Sequence, residues 1–308
     1  YQIGVFELSS FKAEVHDRIS DINKEQWNNL IEQSKMGSFF HRYEWLKAIE
    51  DGIGSKASHV VVSKGDNPVG VFPNFVCDVQ RTPLQKLIST SPGYGGPITA
   101  RKKEKGILDL MLEKTSELCG GRIVSHYIRT LSLGYIRYGR YFQNKGYEAD
   151  LTLCRFVIDL NKSRDCLRLN MRKDRRRNLA RALEKDLLIE DEEINRTNLG
   201  KLHESHRKIM NRVHADTYPF SFFLSMMNNV PDRIKVFSAS VRGTDVGRIL
   251  FLLDKEQCSV HAFISGIEQF NFRYYPSVIL DWHAIKWAIE NRYSKYDFGG
   301  TGADFNSG

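Results

Sequence analysis

Cysteine is scarce in this chain of 308 residues: Cys77, Cys119, Cys154, Cys166 and Cys258 are odd in number, far apart and never in a C-x-x-C pair. That pattern excludes a disulfide framework and a structural zinc site, and it makes the thiols reduced, mostly core residues. Eight prolines and 23 glycines are too few for low complexity or a collagen-like repeat. No run reaches about 18 apolar residues, and no basic leader precedes a short apolar stretch, so neither a membrane span nor a signal peptide is expected. The cytoplasm is the expected location, with the inner face of the membrane as a second station for so basic a protein. No His, Cys, Asp and Glu fall at ligand spacing, so no metal site is expected. A G-x-S-x-G elbow and a legible Cys/His pair are also missing, which argues against a covalent nucleophile.

Aromatic residues are plentiful: 18 Phe, 13 Tyr and four Trp stand in a chain that is 41% hydrophobic. That supply, over this length, predicts two domains that each bury a core. The chain begins at Tyr1 and stops at Asn306-Ser307-Gly308 just after a Gly-rich turn, so the sequence is expected to continue beyond one or both ends.

The net charge of +8 is concentrated in one segment. Between Arg164 and Lys185 nine cations face three anions, which accounts for six of the eight charges. The segment has no Pro or Gly, and Leu167, Met171, Leu179, Leu183 and Leu187 recur mostly at three- and four-residue steps. One helix with a narrow apolar stripe is expected. Its cations Arg172, Lys173, Arg175, Arg176, Arg177 and Arg181 form either a solvated face or a landing strip for a polyanion, whose phosphates they would neutralise. A tRNA, a nucleotide-linked precursor, coenzyme A and an anionic membrane surface all fit. Sequence-specific DNA reading does not, because no zinc-finger spacing or basic zipper is present.

The chain also repeats itself. His59 to Ser63, the turn residues Lys64-Gly65-Asp66-Asn67-Pro68, and Val69 to Pro73 read as a strand, a tight turn and a strand. The same pattern recurs from Val236 through Arg242-Gly243-Thr244-Asp245 to Phe251. After each hairpin the order recurs too. The first copy continues with a strand near Leu87 to Ser89, the turn Gly93-Tyr94-Gly95-Gly96-Pro97, a helix from Glu104 to Leu118 and a strand from Arg122 to Arg129. The second continues with a strand from Ser259 to Ser265, a loop ending at Tyr275-Pro276, a helix from Ser277 to Glu290 and a strand through Lys295 to Phe298. Helices precede both hairpins: Asn23 with Gln26 caps one that carries Trp27, Leu30 and Ile31, and Arg42 to Asp51 follows. In the second copy Asn198 to Asn211 and Ser221 to Asn229 take that place. The expected class is α/β (α+β): two tandem domains, 1–155 and 156–308, each a mixed, mainly antiparallel sheet flanked by helices.

A unit in this order resembles the acyltransferase fold of the GNAT superfamily, and two in tandem resemble the Fem-type peptidyltransferases of peptidoglycan bridge formation. The segments that carry the likeness are Ser38 to Lys47, the Gly65 and Gly243 hairpins, Tyr94-Gly95-Gly96-Pro97, the Arg-rich helix, Arg212 to Phe223, and Trp282 through Tyr296-Asp297-Phe298-Gly299-Gly300. The resemblance implies transfer of an aminoacyl group from aminoacyl-tRNA to an amine on a nucleotide- or lipid-linked cell-wall precursor, with no tightly bound cofactor. Such an enzyme must align amine and carbonyl, take up a proton and stabilise an oxyanion. It also implies roles: Lys47 falls where members have a cation near the precursor's phosphates, and Tyr275 falls near a precursor-binding Tyr. The family's phosphate-binding Arg and Tyr land on Tyr218 and Phe222, with Arg212 upstream, and an acidic residue of the first half lands near Arg129. The family's Phe-Lys pair lies past Gly308.

Two alternatives stay open. One is an acyl-CoA-dependent N-acyltransferase acting on an amino sugar or polysaccharide precursor. Against it, the loop Gly266 to Pro276 lacks the glycine pair usual at coenzyme A pyrophosphate sites. The other is a non-catalytic domain that binds RNA or an anionic surface. Asp297, at a strand end, is the candidate base or orienting carboxylate, and His214 beside Arg212 is a further proton acceptor to weigh. Trp282 and Trp287 are expected in the core, and the Gly93 to Pro97 turn reads either as a phosphate cradle or as a crossing turn beside the sheet.

Overall fold

The computed structural model describes residues 11–99, 104–150 and 152–302; the chain's last residues lie outside them. The chain forms two units, Tyr1–Ala149 and Asp150–Gly308. The boundary precedes the strand Leu153–Asp159, which therefore lies whole in the second unit.

The first unit runs β1 (Phe11–His16), α1 (Lys24–Gln33), α2 (Tyr43–Ile53), β2 (Lys56–Ala57), β3 (His59–Lys64), β4 (Asn67–Phe72), β5 (Phe75–Asp78), β6 (Gln85–Ile88), β7 (Ile98–Thr99), α3 (Glu104–Leu118), β8 (Ile123–Tyr127) and α4 (Ser132–Gln143). The Asn23 side chain accepts from the Gln26 N–H at 3.0 Å and starts α1, which buries Trp27, Leu30 and Ile31. Gly54, at φ 74°, stops α2. The strands form two sheets, β1-β3-β4-β7 and β2-β5-β6-β8. The hairpin crosses from one to the other at Pro73-Asn74. Pro73 has no N–H to give a ladder, and the Asn74 N–H donates to the His59 ring at 3.2 Å instead. Helix α4 was not legible in the sequence: Gly134 and Gly139 dilute its pattern, and among its described side chains Tyr138 and Phe142 are buried in the core with Tyr141 packed beside them.

The second unit runs β9 (Leu153–Asp159), α5 (Arg164–Leu169), α6 (Lys173–Leu183), β10 (Leu187–Glu192), α7 (Arg196–Arg212), α8 (Phe220–Asn229), β11 (Ile234–Val241), β12 (Thr244–Asp254), β13 (Ser259–Gly266), α9 (Pro276–Glu290) and β14 (Lys295–Gly302). These strands make a single sheet in the order β10-β11-β12-β13-β14-β9. β12 lies at its centre and reads as a continuous apolar run because both faces are covered. On one face α6 and α9 close a core of Phe237, Phe251, Val260, Trp282, Ile285 and Tyr296, with Trp287 at its edge. α7 lies against β13 and carries α8.

The basic segment is two helices, not one. The Ser163 side chain caps α5, and the chain turns extended at Arg172 before α6 begins. The Arg176 guanidinium donates to the Leu169 carbonyl at 2.8 Å and so satisfies an acceptor that the break releases. The apolar stripe survives the break: Leu167 and Leu179 are buried, Met171 and Leu187 pack beside them, and of its five members Leu183 faces outward.

Both halves repeat the expected hairpin, strand, helix and strand. β3-β4 and β11-β12 are antiparallel, and each ladder slips by one residue near its turn. In each copy a strand ahead of the helix pairs in parallel with the strand after it, β6 with β8 and β13 with β14, although in the first copy the short β7 comes between β6 and the helix.

Candidate functional site

In the second unit the parallel pair comes apart. β13 and β14 are in register only at Ser259 with Lys295, Val260 with Tyr296 and His261 with Asp297. β14 is paired with β9 throughout, and beyond Asp297 only that pairing continues, after a one-residue slip that sets Gly300 opposite Arg155. Gly299, at φ 88°, makes the turn that a side chain would strain. Among the described residues, the edge of β13 past His261 is thus left without a neighbouring strand. In open α/β sheets, a crevice at the carboxyl ends of the strands is where ligands bind.

That helix is α9. Pro276 stands at its first position, and Tyr275, left-handed at φ 55°, turns the chain into it. The first N–H groups of a helix are unpaired and carry its positive end, so they attract anions. The Arg181 Nη1 group, from the last turn of α6, donates to the Tyr275 hydroxyl at 3.3 Å. Two residues singled out separately in the sequence thus meet at one helix end, one of them from the basic segment. Arg212 ends α7 and donates to the Gln269 side chain at 2.7 Å, on the 3-10 turn that leads to Tyr275. Tyr218 stacks near-parallel on Phe263 of β13, with ring centroids 6.1 Å apart. Arg172 and Lys173 are exposed at the head of α6, where Arg177 pairs with Asp174 at 3.0 Å. His214 is exposed just past α7, and the structure gives it no partner that would assign it chemistry.

Under the parting lies a buried ionic brace. Asp297 is fully buried, and its Oδ2 accepts from the Arg155 guanidinium and from His261 Nδ1 at 2.9 Å, while its Oδ1 accepts from the Gly299 N–H at 2.8 Å. Burial pushes its pKa up, but His261 and Arg155 outweigh it and bring the carboxyl down to about 2. For His261 burial works downward, and Asp254 and Asp297 together hold its pKa above the usual histidine value. Ser259 Oγ lies 2.7 Å from His261 Nε2. Serine, histidine and aspartate therefore stand in a row, but the two carboxylates favour the protonated imidazole and the serine is buried, so the row is not built as an activated nucleophile. Asp297 is a poor proton acceptor with its oxygens engaged; the geometry suits it to orienting β14. Arg155 and His261 escaped sequence reading. Placing β14 parallel to β13 in register, with β9 beyond, would have found them.

A second carboxyl faces the other side of β14. The Tyr296 hydroxyl donates to Asp281 Oδ1 at 2.7 Å. Burial raises the Asp281 pKa to about 6, against the pull of Tyr296 and the more distant charge of Arg175. The Tyr296 ring meets Phe298 edge-on at 4.9 Å, and Phe298 is partly exposed.

Residues 167–307 match the family model described as an acetyltransferase (GNAT) domain. The solved structure of FemX superposes with a TM-score of 0.68 at 12% identity, covering 96% of this chain and 90% of that one. The chain is a Fem-like tandem GNAT fold. The C-terminal domain of a putative lysylphosphatidylglycerol synthetase from Agrobacterium fabrum has a TM-score of 0.54 at 11% identity, over 90% of this chain and 78% of that one. A tandem GNAT protein from the clavulanic acid biosynthesis pathway has a TM-score of 0.54 at 12% identity, over 96% and 90%. No curated protein sequence matches the chain.

In the first copy of this Fem-like fold the corresponding places look different. Lys47 lies on α2 and pairs with Asp51 one turn on, at 3.1 Å, on the surface. The Gly93 to Pro97 turn is packed as a crossing turn. A Cβ on Gly93 would stand 2.4 Å from the Phe40 ring, Tyr94 meets Phe40 edge-on, and the Gly95 N–H is taken by the Arg129 carbonyl. Among the described residues no helix is long and apolar enough to cross a membrane, and no three His, Cys, Asp or Glu gather as metal ligands.

Proposed function

We propose that the chain is an acyltransferase whose second unit holds an acyl group, in the first instance an aminoacyl group, at the parting of β13 and β14 and passes it to an amine. The observation that carries this reading is the conjunction of that opening with the α9 N-terminus and the Arg181–Tyr275 contact. The amine nitrogen attacks the acyl carbonyl carbon; a C–N bond forms, the bond from that carbon to the carrier breaks, the nitrogen loses a proton and the carrier's leaving atom gains one. Backbone N–H groups along the open strand edge are suited to donate to the oxyanion. The α9 N-terminus, Arg181 and the Tyr275 hydroxyl are suited to the carrier's phosphates.

Aminoacyl-tRNA is the carrier the surface fits best. The cations of α6 extend away from the phosphate site, as a long polyanion requires. The segment Gly266 to Pro276 that a pyrophosphate would approach is a 3-10 turn carrying large side chains, not a glycine cradle. An acyl-CoA donor is the second reading, favoured by the GNAT match itself. The acceptor is an amine on a nucleotide- or lipid-linked surface precursor.

The test offers the protein radiolabelled aminoacyl-tRNAs and, separately, radiolabelled acetyl-CoA. Retention of aminoacyl-tRNA, weakened about tenfold or more by Arg181→Ala and further by Arg175→Glu/Arg176→Glu, is expected, since a charge-assisted contact of this kind contributes roughly that factor. Retention of acetyl-CoA alone would sink the tRNA-dependent reading.

A further inference from the structure

Phe270 and Phe272 stand bare on the turn that feeds α9. They are 65% and 51% exposed, and among the described residues neither ring packs against another aromatic ring. Large apolar side chains that water can reach on both faces are uncommon enough to ask for a partner. Between them Asn271 is buried and holds the turn, so the two rings are presented from a fixed base. Val213, 53% exposed, follows Arg212, which is bonded to Gln269 of the turn. Around these three apolar tips are cations: Arg212, Arg273 and, paired with Glu268, Lys208. The Arg181 contact joins the end of α6 to the same turn at Tyr275.

We infer that this turn docks the second unit on an anionic lipid bilayer, with Phe270, Phe272 and Val213 entering the headgroup–acyl boundary and the surrounding cations facing lipid phosphates. Stable seating on a membrane takes two signals, an apolar insertion and a basic patch, and the surface has both. An RNA surface would use the same cations and would stack bases on the rings, but it gives no role to an exposed aliphatic Val213 beside Arg212; lipid does. The inference does not depend on which carrier donates the acyl group. It sets the mouth of the proposed site at the bilayer surface, within reach of an amine borne on a lipid.

The experiment is co-sedimentation with vesicles of phosphatidylcholine, with and without phosphatidylglycerol. The whole chain is compared with Phe270→Ser/Phe272→Ser, and circular dichroism confirms that the variant is folded. Binding that requires phosphatidylglycerol, falls as salt rises and weakens at least about tenfold in the variant is expected, since one buried phenylalanine alone is worth roughly that factor. As a gain-of-signal control, Phe270→Trp should be quenched by lipids brominated along the acyl chain. Binding equal in parent and variant, or none to anionic vesicles, overturns the inference. So does a variant that keeps vesicle binding but loses tRNA. Acyl transfer to a soluble amine, measured beside it, reports on the proposed function separately.

Discussion

The two halves repeat one order of elements, with two sheets in the first and one in the second, and they differ most tellingly at the parallel strand pair. In the first, β6 and β8 stay zipped to their ends, and Ser89 continues the seam: its N–H donates to the Tyr127 carbonyl at 2.9 Å, and its hydroxyl accepts from the Arg129 N–H at 2.8 Å. In the second, β13 and β14 separate after three pairs, and charges buried beneath them hold the separation. A closed parallel pair spends its backbone groups on itself and offers none to a ligand. On the proposed function, the acyl-transfer step belongs to the second copy, and the first is left to fold and to whatever its surface binds.

The largest effect tests the brace. Arg155→Ala leaves Asp297 buried with one cation fewer, and loss of a partner from a buried ion pair costs about 3–5 kcal/mol. In the first half, Ser89→Ala removes one hydroxyl and should cost about 1 kcal/mol. Urea denaturation followed by tryptophan emission measures both. Acyl transfer sharpens the contrast: it should collapse in Arg155→Ala and hold in Ser89→Ala. The reverse result would move the reaction to the first half.

Next in size is a pH effect confined to the second half. Asp281 has a folded pKa of about 6, raised chiefly by burial, against about 4 in an unfolded chain. A raised pKa means that the folded state favours the protonated form. Its contribution to stability is therefore complete below about pH 4 and lost as pH rises through about 6, some 2–3 kcal/mol for two pKa units. Asp297 is the opposite case: with its pKa lowered to about 2, its contribution is present above about pH 4 and lost as pH falls through about 2. The windows do not overlap. Asp281→Asn keeps an acceptor for the Tyr296 hydroxyl and should flatten the stability profile between pH 4 and 6 while leaving the acid limb in place. A profile unchanged by the substitution would remove Asp281 from the account.

What the sequence made legible follows the range of the interactions. Each hairpin is announced by its own turn residues, and Gly65-Asp66 and Arg242-Gly243 sit where the structure turns. α1, α3 and α9 were legible because their apolar positions recur within a few residues, and the tandem fold followed from their order. The brace was not, because Arg155 and Asp297 are 142 residues apart and meet only when β9 closes the sheet beside β14. Charge count misled at the basic segment, since composition reports no break while Ser163 and Arg172 set one. Exposure was hidden as well: nothing in the sequence marks Phe270 and Phe272 as outward-facing, and the turn that carries them exposes both.

The smallest expected effect is on stability, at Lys47, and there the comparison of halves meets the family likeness. Its pair with Asp51 joins two exposed side chains one helical turn apart, and such pairs contribute about 0.5 kcal/mol or less. Lys47→Ala should therefore melt like the parent. If the first half binds the acceptor's phosphates through this lysine, as the Fem resemblance implies, the same variant should raise KM for the acceptor while leaving kcat and donor retention alone. That split distinguishes a binding half from a reacting one, because a residue touching only the ground-state acceptor changes uniform binding and not the chemical step. A fall in kcat would instead place Lys47 at the reacting atoms. An unchanged KM would leave Lys47 as a surface cation and leave acceptor binding to be sought elsewhere.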